Sequence, residues 1–268
     1  MSRRRAERGF ALLLVLWTLS LLALLLSSLL AESRADLSLA ANLRAAATAE
    51  AAADGAVAEA IFHLLPGTPQ PWQAGPRTLA IGAARVRLLI GNEGGKVNPN
   101  LADPALLAAL LSAVGADPAS AAMIAQAIVD WRGPELAPAD HTALMAQYLA
   151  RGRAGGDIFL PPGEPFESLD EVGLVLGMNP TLRERLRPHL SLATLDDPVP
   201  ALADPAVAAS LAQIGSAAGA TTATPGVAFS IEAQADVAGA RFTRRAVVRI
   251  GATQSGRAYA ILAWDSAP

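Results

Sequence analysis

Apolar and polar positions divide the chain into stretches of four different textures. From Phe10 to Ala31 there are 22 residues in which only Thr18, Ser20, Ser27 and Ser28 are polar and none is charged. As a helix rising about 1.5 Å per residue, that is enough to cross a ~30 Å hydrocarbon layer. A cleaved secretion signal has a shorter apolar region, about 7–15 residues, ending at a small-residue site. Here the sequence instead runs on into "AESRADLSLAANLRAAATAEAAADGAVAEAIFHLL", which is alanine-rich and free of proline until Pro66. These strong helix formers extend the apolar run into one predicted helix of roughly fifty residues.

After the Gly/Pro-rich link "PGTPQPWQAGP", the period falls to two. "RTLAIGAARVRLLIGNE" predicts two short strands around Gly82. At the far end "GVAFSIEAQAD", "ARFTRRAVVRI" and "RAYAILAWD", separated by turn-like "VAG" and "GATQSG", predict an antiparallel meander. The middle, roughly Asn98 to Gly219, is punctuated as helices. Asp103-Pro104, Asp117-Pro118, Asn179-Pro180 and Asp204-Pro205 each set a capping side chain before a proline suited to the first helical position. "SLDE" from Ser168 to Glu171 is a capping-box pattern, with Gly177 as terminator of a short helix. The fold class is α+β: a long N-terminal helix packed on an antiparallel sheet, with a large α-helical domain inserted between the first two strands and the rest.

The chain has 268 residues, compatible with one domain carrying an insertion or with two smaller ones. Its formal charge of −3 speaks against nucleic acid as a partner. It has no cysteine, hence neither disulfide framework nor thiolate metal site. His63, His141 and His189 are the only histidines; no zincin, serine-hydrolase, phosphate-loop or dinucleotide motif is present, and "GNEGG" at 91–95 reads as a turn. Asp170 and Glu171 are adjacent and sit in a first helical turn, where the dipole favours acids. The expectation is that the protein is not an enzyme, a membrane-tethered hydrolase using the acids of the insertion being the weakest alternative. Arg3, Arg4, Arg5 and Arg8 hold the N-terminus on the cytoplasmic side by the positive-inside bias, which sends the residues after about 31 to the other side.

A short basic leader, Gly9, Phe10 and a hydrophobic helix together resemble the processing site of type IV prepilins and type II secretion pseudopilins. In that family a membrane peptidase cuts after the glycine, and the helix remains as the assembly element of a filament. Loss of residues 1–9 removes four arginines and one glutamate, leaving 17 basic and 23 acidic residues, a charge of −6. Leu14 is the fifth residue counted from Phe10, where most pilins carry a glutamate that neutralises the amino terminus of the subunit above. An ionised carboxylate in hydrocarbon is costly unless paired; a subunit without one fits the tip, where nothing lies above.

"GGKVNPN" (94–100), "IVDWRG" (128–133) and "PFESLDEVGLVLGM" (165–178) sharpen the resemblance to pseudopilin K of type II secretion, also called general secretion pathway protein K. The motif residues are Gly95, Lys96, Asn98, Asn100, Asp130, Trp131, Pro165, Phe166, Leu169, Glu171, Gly177 and Met178. The resemblance implies a pilin-like body with a sterile-alpha-motif-like or helix-hairpin-helix-like insertion. Its expected divisions are a leader (1–9), a transmembrane segment (10–31), the periplasmic half of the helix (32–65), first strands (76–97), inserted domain (98–219) and C-terminal strands (220–268). It further implies single-pass location in a bacterial inner membrane, with the C-terminal domain periplasmic, and partnership with minor pseudopilins I and J, other pseudopilins, the inner-membrane platform and prepilin peptidase. The implied role is to help start the filament that exports folded proteins across the outer membrane.

Methylation of the new amino terminus is left open. The family can carry calcium, for which Asp130, Glu135 and Asp140 are the candidates here, with Asp157 and Glu164 further off. Calcium takes six to eight oxygen ligands, and Arg132, Gly133 and Pro134 dilute the acids of that stretch. The alternative reading is a single-pass membrane-anchored periplasmic binding or sensor protein that is never processed. The alanines of the long helix, Ala40, Ala41, Ala45, Ala49, Ala52, Ala56 and Ala60, with Leu37, Leu43, Val57, Ile61 and Leu64, are expected to pack on the protein's own sheet at one end. Nearer the membrane they are expected to pack on other pseudopilin helices.

Overall fold

The structure, a computed structural model, describes residues 3–133, 138–153, 160–215, 227–251 and 256–267; the side chains of 3–12, 28–33, 35, 138–141, 144, 151–153 and 267 are not among those described. One helix, α1 (Arg3–Leu64), spans 62 residues. It is longer than the fifty or so expected because the basic leader joins it. Pro66 and Gly67 (φ 83°) follow its end. The two parts of α1 have opposite surroundings. From Leu13 to Leu26 every large apolar side chain is exposed, and so are Leu37 and Leu43. Beyond that Ala49, Ala52, Ala53, Ala56, Val57, Ala60 and Ile61 are buried, whereas Ala40 and Ala41 are not. Packing on the sheet thus begins near Ala49. Among the described residues no helix is long and apolar enough to cross a membrane. Described apolar side chains in the expected span 10–31 cover only 13–27.

Strands β1 (Gly75–Ile81), β2 (Ala84–Asn92), β3 (Val227–Val237), β4 (Ala240–Ile250) and β5 (Tyr259–Ala267) form one antiparallel sheet in sequence order. In β2 alternate residues Ala84, Val86, Leu88 and Ile90 are buried, and with Ile231, Ala233, Ala235, Ala246, Val248 and Ile250 they meet α1 in one core. Small residues on both sides let helix and sheet approach closely. One buried cation interrupts this apolar layer. Arg244, 8% exposed, donates from Nε to Asp54 at 2.6 Å and from Nη2 to Glu50 at 3.1 Å. The bond to Asp54 holds its guanidinium proton more tightly than usual, and Phe242 and Trp264 lie over it.

Between β2 and β3 come α2 (Pro104–Ala113), α3 (Pro118–Arg132), α4 (Pro138–Arg153), α5 (Pro180–Leu186) and α6 (Pro205–Gln213). Asp117, Asn179 and Asp204 accept the expected backbone hydrogen bonds at their helix starts. Asp103 does not; its charge acts instead on Arg132. Ser168 and Glu171 complete a capping box, but what they start is a 3-10 helix, Leu169–Leu174, ending at Val175 rather than a helix stopped by Gly177. A second core, distinct from the first, fills this unit around Leu106, Leu110, Ile124, Ile128, Trp131, Phe166 and Leu186. Within it α2 packs against α6. Both open within the same five residues, "LADPA" at 101–105 and 202–206, and both are followed by a glycine with positive φ, Gly115 and Gly215. This repeat escaped the sequence reading, which took each Asp-Pro step singly.

Candidate functional site

The three motifs of the middle region are far apart in sequence and come together at the seam between the two cores. At the end of β2, Asn92 accepts from the Gly94 amide and starts a single 3-10 turn, Glu93–Gly95. Glu93 is 4% exposed and is paired with Lys96 Nζ at 2.7 Å. Taking one charge out of water is costly unless it is paired, and Lys96 supplies that pairing for Glu93 against the sheet. A β-carbon on Gly95 would lie 2.1 Å from the Leu202 carbonyl oxygen. Only glycine lets the 199–203 segment sit there, and Val199 N–H donates to Gly94 O at 2.8 Å.

The next residues extend the seam. Val97 forms a parallel bridge to Leu190, giving its carbonyl to Ser191 N–H and its amide to His189 O. Asn98, 5% exposed, donates to Thr194 O at 2.7 Å and accepts from the Asn100 amide. Asn100 then imitates a strand: its Oδ1 accepts from Phe166 N–H at 2.7 Å and its Nδ2 donates to Phe166 O at 2.9 Å. An aspartate could not do both. Arg132 closes the same loop from α3, donating to Pro99 O at 2.5 Å and Ala102 O at 2.8 Å. Burial lowers the proton affinity of this guanidinium, and the Asp103 charge partly restores it.

Below that network lie the aromatics. Trp131 stacks on Phe166 with 4° between planes and centroids 5.9 Å apart, and Tyr148 lies 6.1 Å away. The Tyr148 hydroxyl accepts from the Leu176 amide at 3.0 Å. Gly177 has φ +84°, and a β-carbon there would meet Ile124 at 2.9 Å. Met178 is buried beside it, Leu169 packs on the same core from its edge, and Pro165 is exposed. His189 Nδ1 and Asp204 Oδ2 are 2.7 Å apart. Burial opposes ionisation of Asp204, yet the His189 bond and the amides of Val207 and Ala206 outweigh it, leaving its carboxyl below the usual range.

What the motifs assemble is a joint between the two cores. Asp130, a motif residue and calcium candidate, accepts from Gln126 Nε2 at 2.8 Å. Glu135 and Asp157 lie outside the described residues, as does the side chain of Asp140. Among the described residues no three His, Asp or Glu could hold a metal ion together, so these residues alone do not compose a calcium site. Gly9 and Phe10 fall within α1 with side chains outside those described, and Leu14 is exposed. Three contributors were given no part in a joint by the sequence reading: Glu93, Arg132 and Tyr148. An acid and a lysine three apart across a tight turn signalled the first pair, and an arginine directly after the motif tryptophan the second. Tyr148, an isolated tyrosine in a polar stretch, carried no signal.

Comparison with known proteins locates this joint. Residues 86–194 match the family model described as Type II secretion system (T2SS), protein K. The matched segment is similar to that family, starts inside β2 and ends beyond the Val97–Leu190 bridge, so it contains all three motifs. The fold is similar to the crystal structure of the GspK-GspI-GspJ complex from the type 2 secretion system of enterotoxigenic Escherichia coli. The TM-score is 0.57 over 88% of this chain and 99% of that one, at 15% identity. At that identity the likeness is one of fold. No curated protein matches the chain significantly.

Proposed function

We propose that the chain is minor pseudopilin K of a type II secretion machine, seated at the tip of a short periplasmic filament with minor pseudopilins I and J. The observation that carries this reading is the protein K region set between β2 and β3 of a long-helix-on-sheet body. In the reading, residues 10–31 anchor the chain in the inner membrane with its leader in the cytoplasm. Prepilin peptidase cuts between Gly9 and Phe10, and the exposed apolar part of α1 packs among the helices of other pseudopilins. Leu14 offers no carboxylate to a terminus above, which suits a first subunit and would make a poor follower. The work is mechanical: starting a filament whose growth pushes folded substrates toward the outer membrane.

The test is the mature N-terminus. Co-expression with a prepilin peptidase should give a chain beginning at Phe10, and Gly9→Leu should abolish both cleavage and secretion. A product that starts at Met1 or Ser2 while secretion proceeds would sink the reading.

A further inference from the structure

The sheet face that carries α1 is covered unevenly. α1 lies over β3 and β4. On one flank Trp72, Leu79 and Ile81 join Leu64 and Leu65 around the core, closing it over β1. On the other flank nothing among the described residues closes it over β5. Tyr259, Ile261 and Trp264 pair with Ile250, Val248 and Ala246, residues that β4 sends under α1, so they face the helix side. Even so they are 39%, 48% and 40% exposed.

The wall of this open strip is α1 itself. Glu50 and Asp54 both reach Arg244 on β4, which fixes the side of α1 turned toward β5. Helical spacing sets Ala47, three residues before Glu50, and Ala58, four after Asp54, on that side, and both are exposed. The strip thus has an apolar floor and a wall low enough for close approach.

Dimensions choose the occupant. Helices pack about 8–10 Å apart and strands about 4.8 Å apart, so a helix laid beside one centred on β3 and β4 falls over β5. Tyr259 to Trp264 spans about 17 Å, or roughly three helical turns. Strand addition at the free edge is a poorer fit, because the irregularity between Val247 and Val248 breaks the regular ladder there.

Area narrows the choice further. Three side chains this exposed offer on the order of 300 Å², against the ~800 Å² per partner that a stable soluble complex buries. The strip can hold a helix only if something else keeps it near, and anchorage in the same membrane supplies that proximity. Two carboxylates share one guanidinium at the wall, so a basic residue on the incoming helix is favoured.

We propose that this strip, floored by Tyr259, Ile261 and Trp264 and walled by Ala47 and Ala58, docks the helix of a second membrane-anchored pseudopilin. The proposal rests on the pseudopilin reading above and adds the surface and the element that fills it.

The chain has no cysteine, so Ile261→Cys gives a single thiol for a benzophenone maleimide. The full chain is labelled in membranes that also hold minor pseudopilins I and J, then irradiated. The expected product is an adduct whose partner peptide maps to a pseudopilin N-terminal helix, at least tenfold above the yield from Met123→Cys on exposed α3. Ile261→Asp should cut co-purification of the partner by a similar factor without moving the melting temperature. An adduct on a partner strand, on lipid alone or nowhere, with the unlabelled complex intact, overturns the proposal and leaves the pseudopilin reading standing. No complex in the unsubstituted chain overturns both.

Discussion

Trp131 gives the sharpest test of how the inserted domain is held together. It is 3% exposed, stacked on Phe166 and close to Tyr148. Its Nε1 is buried without a hydrogen-bond partner among the described residues. Truncation to alanine removes the whole indole and leaves a cavity, a loss of about 3–5 kcal/mol. For a unit of this size that lowers the melting temperature by on the order of 15–30 °C. Trp131→Phe loses only part of the ring, about 1 kcal/mol at ~25 cal/mol per Å² for some 40 Å². It also deletes a donor whose unsatisfied burial costs about 1–3 kcal/mol, so the net effect should lie between zero and about 2 kcal/mol of stabilisation. Urea denaturation of the full chain in detergent, followed by near-UV circular dichroism, separates the cases. The sheet-and-helix core is a separate cluster, so its transition should stay in place in both variants. If Trp131→Phe costs as much as Trp131→Ala, the orphan donor is not a liability and the stacking account fails.

Three other outcomes follow from the same geometry. Gly95→Ala forces the Leu202 backbone to retreat from 2.1 Å and should cost more than about 2 kcal/mol. Gly94→Ala, whose β-carbon meets Asn92 Oδ1 at 3.1 Å, should cost clearly less; equal urea midpoints would refute the close-approach argument. Ala238, the one non-glycine among the described residues with positive φ (48°), is followed by Gly239 at 83° in the two-residue β3–β4 turn. Asparagine tolerates that conformation better, so Ala238→Asn should raise stability by about 0.5–1 kcal/mol, read as a small rise in melting temperature; a fall would show that the turn relaxes already. Asp204 and Asp236 both have lowered carboxyl pKa values, Asp204 despite burial through His189 and two amides, Asp236 through the Arg241 bond. A depressed folded pKa gives stability that is complete above the unfolded value of about 3.9 and lost as pH falls through the folded one. Melting temperature should therefore hold down to about pH 4 and drop below it, with a shallower drop in Asp204→Asn; a decline already under way between pH 7 and 5 would assign the acid sensitivity to other groups.

Much of this fold is legible in one sequence because its signals are local and repeat. Twenty-two uncharged residues, an alanine run and period-two stretches each name their element without reference to a neighbour. The helix starts are equally local: Asp117, Asn179 and Asp204 sit before proline and act within three residues. The local rule is not sufficient, however: Asp103 has the same dipeptide and makes no side-chain cap bond. The seam was visible as three motifs and invisible as a seam, since Asn100 meets Phe166 across 66 positions and no periodicity encodes that pairing. The same holds for Arg244, which reads as one more strand arginine in "FTRRAVVRI" until α1 brings Glu50 and Asp54 to it from 190 positions away and more.

In the tip-subunit reading the joint between the two cores carries load. An apolar interface yields by sliding, because its attraction has no direction. The seam here is directional: a parallel bridge at Val97, two hydrogen bonds each from Asn100 and Arg132, the Asn98 contact to Thr194, and Arg249 on β4 reaching Ala193 O at 2.9 Å. The Asn98, Asn100 and Arg132 bonds tie the connecting segment to the inserted domain, and turning that domain against the sheet would break the bonds that cross between them, Arg249 to Ala193 O and Val199 N–H to Gly94 O, part-shielded from water, where a lost bond is not refunded by solvent. Glu93 with Lys96 at the root and Gly95 against Leu202 leave no slack there. In the tip-subunit reading this makes the inserted domain a rigid head, moving with the helix that carries it. A push delivered along α1 would then reach the head through the sheet and the seam, which gives the motif residues at the seam a mechanical part in that reading.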